Sequence, residues 1–350
     1  MADESGLFRS GGYRYALCQT MTELFYSSHF WISGFLIQRF LGLLYLLAFI
    51  NAYNQFRVLA GTDGLQPIDP FLEQVPFKKA PSLFHFYYSD RFLEWISLAG
   101  ILLSLLVLAG ITAYGPLWAS MLALFMLWAL YQSIVNVGQT FYGFGWESML
   151  LELGFYGIFL GPLSYHTPVP VIWMIRWMLF RVEFGAGLIK IRGDSCWRNL
   201  TCMQYHHETQ PLPNPLSRFF HHLPERMHKS ETLFNHFVQL VAVWGIFFPQ
   251  PVSSLSALLL ILSQLYLIIS GNYSWLNWMT VILGFSCFPD SLYRYLFNLS
   301  APSGLVYPLS FEIAIYLLAA LIFYLSIEPV KNLLSTGQLM NFSFNPFHLV

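Results

Sequence analysis

The chain alternates long apolar runs with polar breaks, most of them short and two of them long, at 54–91 and 190–232. The apolar runs fall at 32–53, 93–114, 117–137, 149–163, 169–188, 233–248, 252–269, 275–288 and 311–327. A membrane-spanning helix needs about 20 mostly apolar residues, so the longer runs predict spans and the weaker ones predict re-entrant or interfacial segments. Gly115-Pro116 separates the second run from the third so narrowly that the two must form an antiparallel hairpin. No βαβ pattern and no fixed-period repeat competes with this plan. The predicted class is all-α, a polytopic α-helical integral membrane protein with about seven to nine membrane-embedded helices.

The polar segments set the expected organisation. Residues 1–31 read as an N-terminal polar tail, and 32–189 as a first helical group with a Pro-rich loop at 54–91. Residues 190–232 read as a polar recognition loop, 233–327 as a second helical group, and 328–350 as the start of a C-terminal region. The opening residues MADESGLFRS lack the charged-then-apolar pattern of a cleavable leader, so the first span is expected to serve as the signal anchor.

Composition strengthens the membrane reading. The 350 residues are 56% hydrophobic and only 10% charged, with a mean hydropathy of +0.54. Soluble domains carry about 25% charged residues, and a single soluble core cannot hide this much apolar surface. The 18% aromatic content suits helix packing and interfacial belts. A net charge of -1 offers no field for nucleic acid, so lipid and protein are the expected partners.

Charged residues inside the apolar runs need partners. Glu147 and Glu152 fall at the start of the fourth run, and Arg176, Arg181 and Glu183 fall within the fifth. On a helix Arg176 and Glu183 share a face, and Glu147 or Glu152 is placed to pair with Arg181. One reading is a buried ion-pair network that locks two helices; the other is a polar cavity within the membrane.

The loop at 190–232, KIRGDSCWRNLTCMQYHHETQPLPNPLSRFFHHLPERMHKSET, concentrates the remaining chemistry. His206-His207-Glu208 and His221-His222 are dense in ligand atoms, but adjacent histidines diverge on a helix or strand. H-E-x-x-H and paired C-x-x-C are both missing, so no metal ligand, cofactor or catalytic residue is assigned. GDSCW lacks the second glycine and the strand-to-helix turn of a serine nucleophile elbow. Cys196 and Cys202 form a candidate disulfide if the loop faces an oxidising lumen, and free thiols if it faces the cytoplasm. Gln210-Pro-Leu-Pro-Asn-Pro215 is a stiff extended segment. It reads as a spacer over the membrane or as a docking edge. Trp197, Tyr205, His206, His207 and Glu208 are the candidate partner-binding residues of the loop. Lys190, at a span's end, reads as a snorkelling cation or a desolvated base. The small residues Gly185-Ala186-Gly187 before it allow a close helix approach.

Topology indicators disagree. Lys190, Arg192, Arg198, Arg218, Arg226 and Lys229 place the loop in the cytoplasm by the positive-inside rule. Sequons at Asn199, Asn272, Asn298 and Asn341 argue the other way, and only Asn199 lies well inside a long loop, which makes it the candidate glycosylation site.

The segments SIVNVGQTFYGFGWESMLLELGFYGIFLGP, GAGLIKIRGDSCWRNLTC with YHHETQPLPNP, ETLFNHFVQL and SGNYSWLNWMTVILGFSCFPD resemble the lipase maturation factor family in order and spacing, from about residue 37 to about residue 290. The resemblance implies a multi-pass protein of the endoplasmic reticulum membrane, or of the inner membrane in a bacterial member. It implies a chaperone-like glycoprotein that helps secreted lipases of the lipoprotein lipase type to fold and assemble, with such a lipase as client. It implies a cytosolic N-terminus, a lumenal 190–232 loop and a soluble C-terminal region, and it carries no catalytic residue. A second reading is a polytopic membrane enzyme similar to the vitamin K-dependent carboxylase-like group. Its site would lie between the helices and the loop and draw on Lys190, His206, His207 and the intramembrane Arg and Glu residues. A transporter is disfavoured, because the two halves show no internal symmetry.

Overall fold

The computed structural model describes residues 30–210, 212–301, 304–335 and 343–350. Most of the expected N-terminal tail and the Asn341 sequon lie outside the described residues. Within them the protein is all-α: the only β pairing is two isolated bridges, Tyr165 with Leu305 and Phe344 with Leu349.

The long helices follow the apolar runs. They are α1 Trp31–Asn51, α2 Asp90–Leu108, α3 Leu117–Val137, α4 Gly145–Gly157 and α5 Val169–Arg192. The second group is α6 Glu225–Leu240, α7 Val252–Ser270, α8 Leu276–Gly284 and α9 Leu309–Leu325. Helix α1 continues through a π-helical turn, Ala52–Phe56, to Ala60. Among the described residues, five helical stretches are long and apolar enough to cross a membrane: α1 with its extension, α2, α3, α7, and α9 with the short helix after it. Charges keep α5 out of that set although it is the longest single α-helix among the described residues. Helix α6 begins earlier than its apolar run, because the polar stretch Glu225–Glu231 also winds helically, so half of it belongs to the polar loop.

Local sequence explains the ends. Ser89 caps α2 by accepting from Phe92 N–H at 3.1 Å, and Asp90 follows in the first turn, where the helix dipole favours a carboxylate. Helix α1 has no cap of its own. Its first N–H groups, of Trp31 and Ile32, donate to the buried carboxylate of Asp290 at 3.0 and 2.9 Å. A residue nearly 260 positions away therefore satisfies the orphan donors of the first span. Helix α1 packs most extensively on α2, where Gly100 lies flat against the Phe49 ring and leaves no room for a Cβ. Helix α5 is central: it contacts α4, α6, α8 and α9. At its end, Gly187 lets α6 approach so closely that a Cβ there would meet Leu240 at 2.7 Å.

The five intramembrane charges do not join into one network. Arg181 pairs with Glu152 across the α4–α5 contact, and Tyr156 also donates to Glu152, at 2.6 Å. Glu147 takes Tyr131 O–H and Trp146 Nε1–H instead of an arginine. Arg176 reaches no carboxylate among the described residues. Its Nε donates to the Ser286 carbonyl at 3.0 Å and its Nη1 to the Ile246 carbonyl at 3.4 Å, and its guanidinium stacks over Phe30 and Trp173. The reason is local: the 3-10 turns at Ala242–Phe247 and Phe285–Cys287 leave carbonyls unpaired, and a five-donor guanidinium can serve them. Glu183 turns to a different partner set altogether.

Candidate functional site

Helix α5 ends where the polar loop begins. Gly193 closes the helix, and Asp194 caps the next turn, Ser195–Arg198, by accepting from Cys196 N–H at 2.9 Å. Cys196 and Cys202 are joined as a disulfide with their Cα atoms 4.8 Å apart. The Cys196 carbonyl also accepts from Thr201 and Cys202 N–H, so the loop they close is tied by backbone as well. The turn Met203–His206 follows directly.

This compact knot forms one wall of a cavity of about 530 Å³ between α5, α6, α7 and α8. Its polar groups run in a relay. Glu183, 1% exposed, accepts from Gln264 Nε2 at 2.6 Å and from Gln239 Nε2 at 3.0 Å. Gln239 uses its other atom, Oε1, to accept from Lys190 Nζ at 2.8 Å, and Asn235 accepts from the same ammonium at 2.7 Å. The acid and the base thus sit two turns apart on α5, linked through one amide. The Lys190 ammonium also lies 5.2 Å from the Trp197 ring centroid, a cation–π distance. The snorkelling reading of Lys190 therefore gives way to an inward-facing lysine with fixed acceptors.

His206 shares the cavity and bonds through Nε2 to the Tyr273 hydroxyl. Burial, and then the neighbouring His207 and Lys190, push its imidazole down to about 4. His206 is therefore neutral at physiological pH. Burial raises Tyr273 to about 12, so this hydroxyl stays protonated. A neutral imidazole, a phenol and an ammonium share the lining with Glu183, its amide partners and apolar side chains such as Val182, Leu262, Leu267 and Leu276. Chemically this suits a ligand with an apolar body and one acceptor group.

The candidate loop residues part company. Trp197, His206 and His207 turn inward; Tyr205, 56% exposed, and Glu208 face out, the latter 3.4 Å from His221. Asn199 is exposed beside the disulfide. The Pro-rich segment is no free spacer. Asn214 Nδ2 donates to the Ile268, Ile269 and Gly271 carbonyls at 3.2, 2.7 and 3.2 Å, and so caps the last turn of α7. Gln210 accepts from Asn272 N–H at 3.1 Å, and Ser217 donates to the Ser270 carbonyl at 2.7 Å. Sequence reading missed Asn235, Gln239, Gln264, Asn214 and Tyr273. The first two were signalled by their spacing of four on one helix, which places both on one face.

Comparison with known proteins bears on this arrangement. The lipase maturation factor transmembrane domain family matches residues 33–295. Lipase maturation factor 1 of Mus musculus is 40% identical over 92% of this chain and 62% of its own length. The Homo sapiens protein of that name is 40% identical over 92% of this chain and 63% of its own. Lipase maturation factor 2 of Xenopus laevis is 34% identical over 71% of this chain and 37% of its own. The chain thus spans a little under two thirds of the factor 1 relatives. No solved structure matches the fold. The matched region covers every helix that lines the cavity, and the chain belongs to the lipase maturation factor family.

Proposed function

We propose that this multi-pass membrane protein assists the maturation of secreted lipases of the lipoprotein lipase type, acting in the endoplasmic reticulum as a folding and assembly factor. The observation that carries the reading is the 40% identity to mouse lipase maturation factor 1 over 92% of the chain. The factor holds an aggregation-prone lipase intermediate and favours its assembled state by mass action. The outward face of the 190–232 loop, with Tyr205, Leu212 and Phe219 exposed, supplies the client contact, while the inward face supports it. Expression of the chain in cells lacking their own lipase maturation factors tests this. Secreted activity of a co-expressed lipoprotein lipase is expected to rise, and co-precipitation of lipase is expected to fall with Tyr205→Ala together with Phe219→Ala. Unchanged lipase activity would sink the proposal.

This reading puts the loop in the lumen, against its excess of basic residues. Exposed Asn199 is then expected to carry a glycan in microsomes, seen as a mobility shift that glycosidase or Asn199→Gln removes. No shift in a glycosylation-competent system would return the loop to the cytoplasm.

A second reading, a membrane enzyme with its site between the helices and the loop, draws support from one observation. Lys190, Glu183 and His206 converge on one cavity. Arg176, Arg181, Glu147 and Glu152 lie outside the cavity, and His207 lies behind its wall. An unchanged lipase effect in Lys190→Met at equal protein level would confine the cavity to this second role.

A further inference from the structure

At the cavity wall, with Glu231 in the lining and His207 and His228 outside it, three side chains converge that neither function uses. His207 comes from the turn after Met203–His206, and His228 and Glu231 come from successive positions on one face of α6. One donor atom from each lies within 4.8 Å of the other two. His207 is 1% exposed and His228 3% exposed.

Proton bookkeeping makes this cluster unusual. His228 Nε2 faces the His221 carbonyl at 3.3 Å, and a carbonyl only accepts, so Nε2 carries the hydrogen. In a neutral ring Nδ1 then presents a bare lone pair, and it points at Glu231 Oε2 from 2.9 Å. An ionised carboxylate also only accepts. Two acceptors at that distance need a proton between them, on the ring or on the carboxyl, or a metal ion. His207 separates the two cases. Neither of its ring nitrogens has a hydrogen-bond partner among the described residues, and Nε2 stands 3.8 Å from the same Glu231 oxygen. A proton between His228 and Glu231 satisfies one pair and leaves His207 buried and idle; a metal ion satisfies all three residues at once.

We propose that His207, His228 and Glu231 form a binding site for a divalent transition-metal ion. Two imidazoles and a carboxylate favour Zn²⁺ and its neighbours over Mg²⁺ or Ca²⁺, which prefer oxygen ligands. Ligand bonds of about 2.0–2.1 Å in a tetrahedral site hold donor atoms about 3.3 Å apart, within reach of the observed spacings by small side-chain rotations. The outer contacts fit as well. The His221 carbonyl fixes the His228 tautomer, and the Tyr266 hydroxyl holds the other Glu231 oxygen. Three protein ligands leave a coordination position free. The ion pins the turn that carries His206 to α6, a second fastening beside the Cys196–Cys202 bridge.

The test uses the full chain in detergent, stripped with EDTA and titrated with Zn²⁺ against a chromophoric chelator, with Co²⁺ as a spectroscopic probe. One equivalent of Zn²⁺ is expected to bind, Mg²⁺ and Ca²⁺ are expected not to compete, and Co²⁺ is expected to give visible d–d bands. Outer-sphere changes at metal sites cost about 10–100-fold in affinity, so His207→Ala and Glu231→Gln are each expected to lose at least as much. His222→Ala, an exposed histidine of the same loop, is expected to bind as the parent does. Thermal unfolding of the metal-free variants checks that each is folded. His228→Asn provides a further ligand variant should His207→Ala fail that check. Failure of the parent to take up one equivalent, or retention of full affinity in both Glu231→Gln and a histidine variant, would overturn the site.

Discussion

Lys190→Met is expected to destabilise the protein by about 3–5 kcal/mol, because it leaves Glu183 as a buried carboxylate with no counter-ion. The Gln239 and Gln264 amides remain as donors to Glu183, but amide dipoles do not replace a unit charge. The double variant Glu183→Gln with Lys190→Met removes both charges and keeps the packing volume, and is expected to recover most of the loss. Denaturant unfolding in detergent of the parent, both single variants and the double gives the coupling energy, which is large only if the two residues act as one unit. Additive losses would mean that Gln239 transmits nothing between them. A loss below about 1 kcal/mol in Lys190→Met would mean that Glu183 is already neutral.

Arg181→Met is expected to have an effect of similar size, about 3–5 kcal/mol, through the opposite side of α5. It strands Glu152, which lies 5% exposed against Tyr156. Here the pair ties α5 to α4, so the variant is expected to open that contact first, seen as faster protease cleavage of the 158–168 connection. Glu152→Gln with Arg181→Met restores neutrality and is expected to return cleavage to the parental rate. Equal cleavage in the parent and Arg181→Met would mean that apolar packing alone holds α4 in place.

The apolar runs located the helices because burial in lipid or in a helix bundle demands the same residue types over the same length. Helix α6 shows the limit of that logic. Its first two turns are polar, so hydropathy assigns them to a loop, yet Pro224 and Glu225 begin a helix there with a favourable first turn. Partner choice was least legible. Arg176 and Glu183 share a helix face, as expected, but the arginine found carbonyls and the glutamate found amides on two other helices. Sequence spacing fixes which side of a helix a charge occupies; only tertiary packing decides what it meets. The same limit hid the metal cluster. His206-His207-Glu208 drew attention as neighbours, whereas the converging set takes only His207 from that triplet and its other two members from α6.

The clamp of the Pro-rich segment on α7 has a consequence for the unfolded chain. Prolines at 211, 213 and 215 restrict that segment before folding begins, so it has little conformational entropy left to lose. Ordering a flexible stretch of the same length costs roughly 1–2 kcal/mol per residue, and a few hydrogen bonds would not cover it. Here the bonds of Asn214 and Gln210 act on a chain whose freedom was already curtailed by its own rings. The segment that caps α7 thus owes its order as much to what the denatured ensemble lacks as to what the native state gains.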